Sequence, residues 1–176
     1  KFTFVRDKSI DTYLDVNEID KVFNLDLSNN ERLDNVRDLF IIGVWTGLRI
    51  SDLKRLNEFK ISNGRITIAG TLKGHDFVEI PIHPQLKYIF EKRSNVLPNI
   101  SEQKFNLYIK EVCAAAGIDN TILGRLKNPA TNRKEEGYYP KYMLISSHTC
   151  RRSFVSNHYG ELDDKTIMAI TTHKSH

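Results

Sequence analysis

Arg49, Lys73, His148, Arg151 and His173 are five side chains that, gathered around one phosphodiester, could hold it and move its protons without a metal ion. Two guanidiniums suit that task because each presents a planar fork of donors to the non-bridging oxygens and stays charged throughout. Charge that builds in a pentacoordinate transition state is met by such preorganised donors, usually the largest catalytic contribution. Lys73 could protonate a leaving oxygen. His148 and His173 could donate to phosphate oxygens or relay a proton near neutral pH. None of the five is an obvious nucleophile.

Each residue alone has a plainer explanation. His148 and Arg151 lie three apart, which on a helix places them side by side on the first turn, but surface chance also produces H-x-x-R pairs. Arg152 faces elsewhere, toward a DNA backbone or an acidic neighbour. Arg49 sits in Thr46-Gly47-Leu48-Arg49-Ile50-Ser51-Asp52-Leu53, a turn that aims it inward between Leu48 and Ile50. A buried Arg49–Asp52 ion pair is the structural alternative there, and it is compatible with function because a carboxylate can orient a working arginine. Lys73 in a turn is ordinarily a solubilising residue. The argument rests on the set.

The elements that must carry this set are legible in the periodicity. Asp15 with Glu18 forms a capping-box pattern opening a short helix through Ile19, Val22 and Phe23. Asn29 and Asn30 break the chain. A helix is predicted over 31–46, with Leu33, Val36, Phe40, Ile41 and Val44 at helical spacing and Gly47 ending it. Ser51 is expected to cap a further short helix. Between Gly64 and Ile82 the period becomes two (Ile66, Ile68, then Val78, Ile80, Ile82), predicting a hairpin with Lys73 at or near its turn. Pro84 opens a helix to about Arg93, and Ser101 caps another through Phe105, Ile109, Val112 and Ala116. Residues 118–145 are expected to be a long, partly irregular connection containing Asn128-Pro129, Gly137 and Pro140. Ser146 or Ser147 starts a helix ended by Gly160, and Asp163 or Asp164 caps a last one with Ile167, Met168 and Ile170. The fold class is mainly α (α+β), with one small antiparallel hairpin or sheet.

The 176 residues suit a single domain, 1–176, of ordinary globular composition: 40% hydrophobic and 27% charged. No window approaches the roughly 18 apolar residues of a membrane span, and the start lacks a secretory h-region, so a cytoplasmic location is expected. Cys113 and Cys150 are too few to staple such a domain and are expected to be reduced thiols. Twenty-six Lys and Arg against 22 Asp and Glu give a net charge of +4, which suits a polyanionic partner. Acids crowd residues 1–40, whereas Arg125, Lys127, Arg133, Lys134, Lys141, Arg151 and Arg152 fall in a later stretch that is either an anion-binding face or a solvated basic surface.

Taken in order, these segments resemble the catalytic domain of the tyrosine recombinases, or phage integrases, over roughly Tyr13 to Ser175. Thr46-Gly47-Leu48-Arg49-Ile50-Ser51-Asp52-Leu53 is similar to the family's first-arginine box, with Asp52 at its acidic position. The hairpin from Ile66 through Lys73 to Ile82 resembles its lysine hairpin. His148-Thr149-Cys150-Arg151-Arg152-Ser153-Phe154 resembles its H-x-x-R-R-T-F box, and Ile170-Thr171-Thr172-His173-Lys174-Ser175 its G-H-x-S segment, with Thr172 in place of the glycine.

The resemblance implies DNA cleavage and rejoining through a 3'-phosphotyrosyl intermediate, in a bacterial phage or mobile-element context. Arg49 and Arg151 would clamp the phosphate, Lys73 would act as acid, His148 would assist proton transfer and His173 would hydrogen-bond the phosphate. Asp52 would support Arg49, and Arg152 and Lys174 would contact DNA. No cofactor and no metal are implied, because covalent catalysis conserves the bond energy. The nucleophile would be a tyrosine shortly after His176, and none of Tyr139, Tyr142 or Tyr159 takes that role. An N-terminal core-binding domain would complete a clamp on double-stranded DNA. The full-length protein would work as a homotetramer, the isolated domain being monomeric, inactive and weak in DNA binding. Competing readings are a non-catalytic DNA-binding module of the same fold, a type IB topoisomerase, and a metal-dependent nuclease, for which no acid is placed beside His173 and His176.

Overall fold

A computed structural model describes residues 10, 12–53, 60–69, 77–161, 167 and 171. The architecture is organised around α2 (Glu31–Thr46). Its sequence from Leu39 to Trp45 is apolar on every side, and such a helix must be enclosed. The chain does enclose it: every residue from Val36 to Thr46 is buried, Arg37 and Asp38 included. α1 (Val16–Phe23), α4 (Pro84–Lys92), α5 (Glu102–Ala115) and α6 (Ser147–His158) pack around it, α6 most extensively. α3 is a single turn, Ile50–Leu53.

The start signals act as expected. The Asp15 carboxylate accepts from the Glu18 N–H while Glu18 accepts from the Asp15 N–H, both at 2.9 Å. Ser101 Oγ accepts from the Lys104 N–H, and Pro84 occupies the first turn of α4 behind His83. α2 stops at Gly47, whose φ of +65° is left-handed. One expectation is corrected: α3 begins at Ile50, so Ser51 lies inside it and does not cap it.

A three-stranded antiparallel sheet joins β1 (Lys60–Ser62), β2 (Arg65–Ala69) and β3 (Phe77–Pro81), with Ile66 opposite Ile80 and both buried. Residues 70–76, which hold Lys73, lie outside the described residues. The stretch 118–145 is more regular than its sequence suggests. It contains a second hairpin, β4 (Thr121–Lys127) with β5 (Lys134–Pro140), followed by a 3-10 turn over Lys141–Leu144.

Two acids and three cations fasten α2 to α4. Asp38, 1% exposed, accepts from Arg37 at 2.6 Å, Arg93 at 2.7 Å and Lys92 at 2.9 Å, and Asp34 contacts the same three cations. Burial opposes ionisation of Asp34, but Lys92, Arg37 and Arg93 outweigh it and hold its pKa below the usual carboxylate value.

Candidate active site

The relative placement of the two arginines is set by a glycine seam. Gly43 and Gly47 lie one turn apart on α2 and face Cys150 and Phe154, one turn apart on α6. A Cβ on Gly43 would sit 2.9 Å from Cys150 Cβ and Sγ; one on Gly47 would sit 2.8 Å from Phe154 Cδ1. Only glycine permits helices this close. Arg49 leaves the chain two residues after Gly47, and Arg151 sits on α6 between Cys150 and Phe154, so the seam sets the two arginine-bearing segments side by side and Arg151 feels the charge of Arg49.

α6 is held at both ends of its first half. The Ser147 N–H donates to Asn106 Oδ1 at 2.7 Å and the Ser147 hydroxyl to Glu102 Oε1 at 2.8 Å, both from α5. Ser153 Oγ donates to the Thr149 carbonyl and accepts from the Leu14 N–H. Ser153 and Asn157 thereby fix α6 to the segment before α1, Asn157 donating to the Leu14 carbonyl.

Arg151 is the hub. Its Nε donates to the Gly47 carbonyl at 3.1 Å, and its Nη1 donates to the Thr171 carbonyl. One guanidinium therefore ties together the first-arginine turn, α6 and Thr171, whose hydroxyl donates to the Ile167 carbonyl. Among the described residues no partner takes Nη2, which leaves two N–H donors for a ligand. Burial and the like charge of Arg49 pull the Arg151 pKa down to about 10, with Asp52 opposing. Arg151 stays positively charged at neutral pH, partly desolvated and within electrostatic reach of Arg49, an arrangement that an anion would relieve.

Asp52 is buried at 4% exposure and its Oδ1 has no hydrogen-bond partner. Among the described residues no ion pair joins it to Arg49, so the structural alternative is not what holds Arg49 in place. His148 is exposed and lines a cleft of about 350 Å³ together with Arg152. Arg152 leaves the Arg151 side of the helix but shares that cleft with His148, four residues away. Lys73, His173 and Lys174 lie outside the described residues, as do Asp163 and Asp164. Of the five candidate side chains, Arg49 and Arg151 are within electrostatic reach of each other, and His148 lies on the same helical turn as Arg151.

Sequence reasoning missed the carbonyl acceptors of Gly47 and Thr171 and the role of Gly43, since a main-chain oxygen leaves no signature in residue type. It also grouped basic residues that have separate roles. Lys141 is bound to Glu18 at 2.6 Å and Arg125 to Glu136 at 3.0 Å. Below the site, the Trp45 indole stacks on His83 with ring centroids 3.6 Å apart, and its Nε1 donates to Gln85 Oε1 at 2.7 Å. His158 meets the same indole edge-on at 6.1 Å. Cys113 and Cys150 are free and buried, and burial pushes both thiols far up. Among the described residues no group of His, Cys, Asp and Glu converges as a metal site, and no helix is long and apolar enough to cross a membrane.

No family model and no curated protein matches the sequence. Solved structures do match in fold. The XerH site-specific recombinase bound to difH substrate, a pre-cleavage complex, superposes with a TM-score of 0.63 at 19% identity, over 95% of this chain and 48% of that one. Its post-cleavage complex with palindromic difH substrate gives 0.63 at 17% identity, over 93% and 47%. A lambda integrase dimer bound to a COC' core site gives 0.60 at 19% identity, over 97% and 60%. The chain thus shares the fold of these XerH and lambda integrase chains, mainly helical with two small antiparallel sheets, and spans about half the length of the XerH chains and three-fifths of the lambda integrase chain.

Proposed function

We propose that this chain is the catalytic domain of a site-specific DNA recombinase that cuts and rejoins strands through a 3'-phosphotyrosyl intermediate. The observation that carries the reading is Arg151, which donates to the Gly47 and Thr171 carbonyls while within electrostatic reach of Arg49. Three sequence segments that resemble recombinase boxes meet at one side chain, in a fold shared with recombinases crystallised on DNA. In this reading a tyrosine on the chain beyond His176 attacks the scissile phosphorus and loses its proton. The tyrosyl oxygen–phosphorus bond forms, the bond from phosphorus to the 5' oxygen breaks, and Lys73 delivers a proton to that oxygen. Arg49 and Arg151 hold the non-bridging oxygens, His148 and His173 donate to the phosphate or relay protons, and the buried Asp52 carboxylate offsets the positive charge of Arg151. A preceding domain completes the grip on duplex DNA, and four copies assemble on two duplexes.

The test is a nicked suicide DNA substrate incubated with the full-length protein in chelator. Expected is a covalent protein–DNA adduct lost in Arg49→Ala and Arg151→Ala, both of which remain folded. Absence of the adduct with the wild type sinks the reading, as would cleavage that requires magnesium. Duplex binding without any adduct would instead favour the non-catalytic DNA-binding module.

A further inference from the structure

The cleft beside His148 lies between the β4–β5 ribbon and the start of α6, with Ile10, Thr12 and Leu144 also lining it. Arg125 from β4 and Lys134 from β5 reach it from one wall; Ser146, His148 and Arg152 from the start of α6 form the other. Three permanent cations and an imidazole thus line the cleft; Arg125 is paired with Glu136 at 3.0 Å, and no carboxylate of the described residues is itself among the lining side chains. A second observation points the same way. In the β4–β5 register Lys127 stands directly opposite Lys134, both exposed and on the same face as Arg125 and Glu136. Like charges facing across two strands weaken a hairpin, so the ribbon carries a cost that its own folding does not explain. The cost is explained if an anion occupies the basic face.

We propose that the cleft between the β4–β5 ribbon and the first turn of α6 seats a phosphate of the DNA backbone next to the phosphate held by Arg49 and Arg151. The proposal rests on the recombinase reading and extends it. His148 borders the cleft and lies on the same helical turn as Arg151, so a strand placed on the two arginines would run into the cleft with its neighbouring phosphate. Seated there, Lys134 and Arg152 would release counterions and fix the position of the strand along the ribbon without reading its sequence.

The experiment is an anisotropy titration of duplex DNA at several salt concentrations. Lys134→Gln is expected to reduce the steepness of log K against log salt by about 0.9 and to weaken binding roughly five-fold at 0.15 M salt, on every duplex sequence alike. Lys134→Arg should keep the wild-type slope. Lys87→Gln, which removes an α4 cation paired with Glu91, should leave the slope unchanged. The Gln variant of Lys134 is expected to fold, since it lifts the repulsion with Lys127. An unchanged slope in Lys134→Gln, or an equal loss in Lys87→Gln, overturns the proposal while leaving the recombinase reading intact. A wild type that binds no duplex at any salt concentration defeats that reading, and the phosphate seat with it.

Discussion

Gly47→Ala tests the seam on which the arginine pair depends. Two costs add. At φ +65° an alanine is in the left-handed region, worth about 1–2 kcal/mol against glycine. Its Cβ would also stand 2.8 Å from Phe154 Cδ1 and 3.0 Å from Cγ, inside any real contact distance, so the ring must move at about 1–3 kcal/mol. The sum is about 2–5 kcal/mol, measured by urea denaturation of the domain. Gly64 supplies the internal control: its φ is +70°, but nothing lies within 4 Å of the point where a Cβ would stand. Gly64→Ala should therefore show the backbone cost alone, about 1–2 kcal/mol. In a Phe154→Leu background the excess of Gly47→Ala over Gly64→Ala should shrink. If the two glycine variants agree within about 0.5 kcal/mol, the tight α2–α6 contact is refuted.

Four further outcomes follow from the site and its supports. Sulfate at ten times its dissociation constant should stabilise the wild type by about 1.4 kcal/mol, roughly 3–6 °C in Tm, by relieving the Arg49–Arg151 repulsion; an equal shift in Arg49→Ala would show that sulfate binds elsewhere. Asp38→Asn should cost about 3–5 kcal/mol by leaving Arg37, Lys92 and Arg93 with Asp34 as their remaining carboxylate. Because the Asp34 pKa is depressed by folding, its contribution is complete above the ordinary value of 3.8 and is lost as pH falls through the lower folded value, so acid titration should show a loss that Asp34→Asn removes. In the full-length protein, Lys73→Ala should slow cleavage and be rescued by a bridging 5'-thiol substrate, whose leaving group needs no acid; no rescue would remove Lys73 from that role.

Local signals were readable wherever a side chain speaks to its own backbone. Asp15 with Glu18, Gly47, Pro84 and Ser101 each fixed a helix end within a residue or so, and α2 runs over the predicted 31–46. The second hairpin was hidden for a specific reason. Its inward positions include Gly124 and Gly137, paired across the strands, and the space a side chain would fill there is taken by Leu144, 2.4 Å from where a Gly124 Cβ would stand, and by the Tyr139 ring. The apolar partner comes from after the hairpin, so no alternation of apolar residues marks the strands. In the candidate site, residue types singled out Arg49, His148 and Arg151 as candidates. Their geometry depends on the Gly43 and Gly47 approach and on carbonyls, which are properties of packing and not of composition.

Trp45 has a practical consequence. It is the only tryptophan in the chain, and its indole meets two elements at once, α4 through His83 and Gln85 and α6 through His158. All indole emission therefore originates two residues before Gly47, with an imidazole stacked on it that quenches when protonated. Burial lowers the His83 pKa, with Asp20 opposing and His158 adding to the shift, so the bright form persists at neutral pH. The protein carries a native optical reporter of the junction beneath its arginine pair, readable without a label during DNA titrations and stopped-flow mixing.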